Sequence, residues 1–267
     1  MTENDRALRT RPPAVAGQFY PREPGRLKAE VERLLDGAAA AGADTPKALI
    51  APHAGYAYSG PVAAAAFALL RGCAEKIERV VVIGPAHYMP FQGIALPSAD
   101  AFATPLGRVA VSRDALENLA DLPLVLRSDA PHAPEHALEV ELPFLQCAVG
   151  SFELFPLLVG DAAPAEVAEA LGRLWGGPET LFVVSSDLSH FHNSQTARRL
   201  DGATAARIEN GQWAAIGPND ACGWLAVSGL LIEAERRGLR ARRLALCNSG
   251  DTAGSRERVV GYGAWAF

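Results

Sequence analysis

Three times in this chain an unbroken apolar run ends in a turn that delivers a histidine. The run 47–51 stops at Pro52 before His53, 79–83 stops at Gly84-Pro85 before His87, and 180–184 stops at Ser185-Ser186-Asp187 before His190. Continuous aliphatic, β-branched runs are what strands covered on both faces look like. Proline has no N–H to give to a ladder, so it takes the chain out of the sheet. Helical spacing fills the intervals: Leu27, Val31, Leu34 and Leu35; an alanine-rich stretch after Gly60; Val167, Ala170, Leu171 and Leu174. This alternation predicts the α/β class, as one three-layer αβα domain around a central, mostly parallel, mixed sheet. Ligands of such sheets bind beyond the carboxyl ends of the strands. His53, His87 and His190 are therefore site candidates on position alone.

Other elements follow the same signals. The pieces 93–97 and 107–111 read as an edge hairpin, 114–119 as a short helix and 153–159 as another core strand. A loop rich in proline and titratable groups, 129–136, leads into a helix with Leu138, Leu142, Leu145 and Val149 on its apolar stripe, which places His136 and Glu139 on one face at i,i+3. A last strand pair, 242–247 and 258–265, flanks Asn248 to Gly254, a loop that carries Asp251. Helical patterns fill 195–210 and 220–237. Residues 1–10 read as a disordered tail, 11–20 as an extended arm anchored by Phe19 and Tyr20, and 11–267 as a single domain.

Composition narrows the function. A net charge of −5 without a basic run argues against nucleic acid as a partner. No apolar run approaches the roughly 18 residues of a membrane span, and the polar start has no secretory h-region, so a cytoplasmic location is expected. Cys73, Cys147, Cys222 and Cys247 form no CxxC pair, which fits reduced thiols rather than a disulfide scaffold or a zinc knuckle.

Neutral imidazoles joined by one carboxylate suit a divalent metal. Two histidines, a carboxylate and open positions suit non-haem Fe(II), with zinc or copper as the alternatives. The three strand ends offer His53, His87 and His190 for such a set, and the last loop offers Asp251 as its carboxylate. Asp187, three residues before His190, can set that histidine's tautomer and make it an acid or base near neutral pH; the alternative is an outer-shell role for Asp187. Tyr56, Tyr58 and Phe191 are candidate pocket walls, and His136 with Glu139 offers a weaker metal-hydrolase pattern.

The blocks PAVAGQFYP, APHAGYAYSG, GPAH, EHALEVELPF, SSDLSH and NSGDT…VVGYGA resemble the Memo family, the protein B type of the AmmeMemoRadiSam system, from Pro12 to Phe267. That resemblance implies a fold similar to the class III extradiol dioxygenases, with a metal pocket at strand ends. It implies His53 and His87 as ligands, His190 as acid/base, and Asp187, Glu135 and His136 as further pocket positions. In animal members a cysteine of the last loop completes the pocket; the alignment puts Thr252 there, beside Asp251. The resemblance further implies a small-molecule substrate and Fe(II)-dependent oxidoreductase or dioxygenase chemistry. The alternative it leaves is a non-catalytic adaptor that binds a peptide or small ligand. Radical SAM and Ammecr-type proteins are the partners it suggests.

Overall fold

The computed structural model describes residues 8–38, 45–113 and 117–267. The expected tail lies largely outside them; of its described part, Arg9 donates its N–H to the Asp100 carboxylate at 2.8 Å and Thr10 pairs with Ala101. Positions 114–116 of the expected short helix also lie outside.

The strands are β1 Thr10–Arg11, β2 Ala48–Ala51, β3 Arg79–Pro85, β4 Ile94–Leu96, β5 Ala101–Thr104, β6 Gly107–Ala110, β7 Val125–Arg127, β8 Glu153–Val159, β9 Thr180–Ser185, β10 His190–His192, β11 Arg242–Asn248 and β12 Val259–Ala266. The main sheet runs β10-β12-β2-β9-β3-β8-β4-β7, with β11 also on β12. Its centre, β2-β9-β3-β8, is parallel, and antiparallel pairs flank it. Val80 to Ile83 and Phe182 to Val184 are fully buried, as their β-branched composition predicts. The helices are α1 Pro24–Gly37, α2 Tyr56–Phe67, α3 Leu142–Ala148, α4 Pro164–Arg173, α5 Ser194–Glu209 and α6 Trp224–Arg236. The first three pack on one another, α2 also against β2 and β12. The pair α4 and α6 packs together, with α6 on β3 and β9, and α5 covers β11 and β12. The result is the αβα layering that the alternation predicted.

Two local expectations change. The hairpin is β5 with β6, on a small separate sheet with β1, because only two residues join them; β4 belongs to the main sheet between β8 and β7. The helix expected from His136 begins only at Leu142, where Pro143 sits in its first turn. Before it, the Glu135 carboxylate accepts the N–H groups of His136 and Ala137, both at 2.9 Å, and holds the chain in a turn. Among the described residues no helix is long and apolar enough to cross a membrane.

Candidate metal centre

β2, β9 and β3 are neighbours and run the same way, so their carboxyl ends open on one edge. Ala51 is in register with Ser185, and Ile83 with Val184. The residues just past β2 and β3 are therefore forced together. The His53 and His87 rings lie 5.1 Å apart, centre to centre. The loop before α3 adds a third imidazole: His136 stacks on His87 at 4.7 Å and meets His53 edge-on at 5.4 Å. One ligand nitrogen from each of His53, His87 and His136 falls within 4.8 Å of the others. Two nitrogens sharing one ion stand at most about 4 Å apart, so small rotations bring the three onto a single cation.

Each ring has an outer partner or a packing surface. His87 Nδ1 lies 2.9 Å from Glu135 Oε1, and its backbone N–H donates to Oε2 at 2.5 Å. Burial acts to raise the Glu135 pKa, but the hydrogen bonds and charge at His87 outweigh it and hold the group below the usual range. An ionised Glu135 turns the other His87 nitrogen toward the cluster. His53 Nδ1 lies 2.7 Å from Ser185 Oγ. The His136 ring rests against Phe19, centroids 4.7 Å apart. Burial first, then charge on His87, His136 and His190, pushes the His53 pKa well below normal. Burial likewise lowers His136 to about 4. Neutral imidazoles with free lone pairs are what a transition metal takes.

The site also contains a thiol. Cys222 Sγ is 3.4 Å from His53 Nε2. Gly223 permits this approach, since a Cβ there would stand 2.7 Å from the Ser185 carbonyl oxygen. Burial and the charge of Asp187 push the thiol up to about 12. The expected pocket cysteine position, Thr252, instead donates its hydroxyl to the Tyr58 carbonyl at 3.0 Å.

The other expected residues distribute as follows. Asp251 is not in the cluster: it is exposed, its carboxylate binds Arg198 and caps the Asn248 N–H at 3.1 Å. A nearby guanidinium and its own backbone turn outcompete the distant imidazoles. Asp187 is buried, raised to about 7 by that burial, and accepts the His53 N–H at 2.9 Å rather than bracing the His190 ring. His190 stands half-buried on β10, its pKa lowered by burial, outside the group of three but near enough for its charge to act on His53. Tyr56 is a core residue under the loop, its hydroxyl donating to the Val140 carbonyl at 2.7 Å. Glu139 turns away from His136 to the N-terminal arm, which removes the pairing that a metal hydrolase would need. Sequence reasoning missed Cys222, Ser185 and Glu141. Only the Cys-Gly pair opening a helix pattern hinted at the first.

The family profile described as Memo-like protein matches residues 11–266. A MEMO1 family protein of Methanosarcina barkeri is 34% identical over 267 residues, covering 95% of this chain and 98% of its own. One of Aquifex aeolicus is 34% identical over 270 residues, at 96% and 98% coverage. Among solved structures, an uncharacterized protein from Escherichia coli K12 aligns at a TM-score of 0.47 and 13% identity, covering 82% of this chain and 99% of its own.

Proposed function

This chain belongs to the Memo family, and we propose that its histidine cluster holds one divalent transition-metal ion, Fe(II) foremost, for oxidative chemistry on a small molecule. One observation carries the reading: three imidazoles from separate segments, His53 buried, His136 half-buried and His87 at the exposed edge, offer ligand nitrogens within 4.8 Å. Such an ion supplies Lewis acidity and, as iron, one-electron redox capacity. The chain's own residues do the rest. Glu135 orients His87, and Asp187 fixes the backbone of His53. Cys222 Sγ stands beside His53 Nε2, at the edge of the cluster and not one of its three ligands. His190, its pKa lowered by burial, is the side chain we assign to accept a proton from a substrate hydroxyl.

Anaerobic loading with Fe(II), Co(II) or Zn(II), followed by metal analysis, tests the ligand set. The wild type should retain one ion per chain, and His53→Ala and His87→Ala should each lose it. Equal metal in all three proteins would sink the assignment. A second reading, a binding module that keeps the pocket without turnover, draws on the exposed rim. Tyr58, Tyr88, Met89 and Phe191 are exposed, and Phe191 alone among described non-glycine residues has a positive φ, 66°, with Arg258 stacked 4.3 Å from its ring. Turnover of a phenolic panel that disappears in His190→Ala favours the enzyme. Ligand retention without turnover in both proteins favours the module.

A further inference from the structure

Behind His53 lies a second polar group that the metal reading does not use. Ser185, the last residue of β9, is fully buried, and its Oγ has three close neighbours: His53 Nδ1 at 2.7 Å, the Ala137 carbonyl oxygen at 2.7 Å and Glu141 Oε1 at 2.8 Å. We propose that Ser185, gripped from behind by the Glu141 carboxyl and the Ala137 carbonyl, is a positioning residue that locks His53 in its Nδ1–H tautomer and keeps the Nε2 lone pair turned toward the histidine cluster.

Counting protons gives the assignment. A serine hydroxyl has one proton to donate and two lone pairs to accept with. The Ala137 carbonyl can only accept, so it takes the Ser185 proton. Both remaining neighbours must then donate to Ser185. For His53 that requires a proton on Nδ1, and for Glu141 a protonated Oε1. An ionised Glu141 would compete with Ala137 for the single proton and leave two oxygens facing each other without a hydrogen between them. Glu141 is fully buried, and among the described residues its Oε2 has no partner and no cation pairs with it, so a carboxylate there has no charge to stabilise it. Burial pushes its pKa well above the ordinary range, in agreement with the count. The far side of the ring is consistent too. With Nδ1 protonated, Nε2 accepts, and the neighbouring Cys222 Sγ, 3.4 Å away and pushed up to about 12, has the proton to give until a cation takes its place. The chain of donors then runs Cys222 to His53 to Ser185 to Ala137 without a break.

The effect on cation affinity rests on the metal reading above; the tautomer does not. The test therefore has two arms. Two-dimensional ¹H–¹⁵N spectra of the metal-free wild type report which nitrogen of each imidazole carries the proton, and the pattern missing in His53→Ala assigns the ring. The expected pattern is Nδ1–H. An Nε2–H pattern in the wild type overturns the proposal without any variant having to fold. In the second arm, Co(II) affinity is measured by competition. Ser185→Ala should mix the two tautomers and bind about ten- to a hundredfold more weakly. Glu141→Gln, whose amide N–H can still donate to Ser185, should keep the wild-type tautomer and affinity. A Ser185→Ala protein that retains both the tautomer and the affinity also overturns the proposal. If the wild type binds no Co(II), the metal reading falls, and the ring spectra still decide this one.

Discussion

Glu139 and Glu141 stand two residues apart on the short turn Glu139–Glu141, and neither exposes any surface, yet they meet opposite surroundings. A 3₁₀ turn, at three residues per turn, points residues i and i+2 in directions about 120° apart. Glu139 faces the N-terminal arm and takes four donors from it: Arg11 Nη1 at 2.6 Å, the N–H groups of Ala14 at 2.7 Å and Val15 at 3.0 Å, and the Tyr20 hydroxyl at 2.5 Å. Glu141 faces the end of β9 and meets one hydroxyl. Equal burial thus produces two different objects. The first is a charged hub that ties the arm to the domain. The second is an acid with no charge partner among the described residues, set behind a histidine. The difference is the number and kind of donors, and burial alone could not have told them apart. The hub also reaches the site. Arg11 donates to the His132 carbonyl at 2.8 Å and to the Glu135 carbonyl, so the arm fixes the loop that carries Glu135 and His136.

Breaking the hub should have the largest effect. Arg11→Ala leaves Glu139 buried without its cation, and loss of one partner of a buried pair costs about 3–5 kcal/mol. Urea denaturation reads that loss directly, and a change below about 1 kcal/mol, the range of surface pairs, would erase the contrast between the two glutamates. Adding Glu139→Gln to Arg11→Ala should recover part of the stability, because the amide leaves no unpaired charge. The single variant should also weaken Co(II) binding through the displaced His136. Tyr20→Phe comes next. It removes one hydrogen bond to a charged acceptor, worth about 1.5–3 kcal/mol. The His53 tautomer should not move, because Tyr20 binds Glu139 and makes no contact with Ser185 or Glu141.

The same contrast explains what the sequence could reveal. His53 and His87 were legible because a strand announces itself by composition and a proline announces its end; adjacent parallel strands then bring the two rings together at 5.1 Å. The αβα layering was legible for the same reason. His136 was visible only as a pocket position, since its place depends on Arg11, more than a hundred residues earlier, holding the Glu135 carbonyl. Nothing local encodes that contact. Asp251 looked like a ligand because it follows a strand in a glycine-rich loop, but Arg198 on the neighbouring α5 claims its carboxylate. Cys222 is set apart from Cys73, a buried thiol in the core, only by the Gly223 that follows it, a marker too weak to single it out. The glutamates at 139 and 141 read alike in sequence, and the i,i+3 spacing to His136 points to Glu139, whose carboxylate the arm claims.

The finest test of the comparison is Glu141→Gln across pH. Below the free carboxyl pKa, about 4.3, Glu141 is protonated in both the folded and the unfolded chain and contributes no pH dependence. Above it the unfolded chain releases the proton, while burial keeps the folded group protonated. The unfolded state then binds fewer protons than the folded one, so wild-type stability falls as pH rises toward the raised folded pKa. The glutamine variant has no such slope. Asp187, also raised by burial, and the depressed His53 and His136 face the same region and titrate too, but they are present in both proteins and largely cancel in the difference. The stability of Glu141→Gln relative to wild type should therefore rise by about 1 kcal/mol between pH 4 and pH 5 and continue upward toward neutral pH. Thermal denaturation of the two proteins at matched pH values reads it. A flat difference would mean that Glu141 ionises in the folded protein, and the hydroxyl of Ser185 would then have to turn from Ala137 toward it.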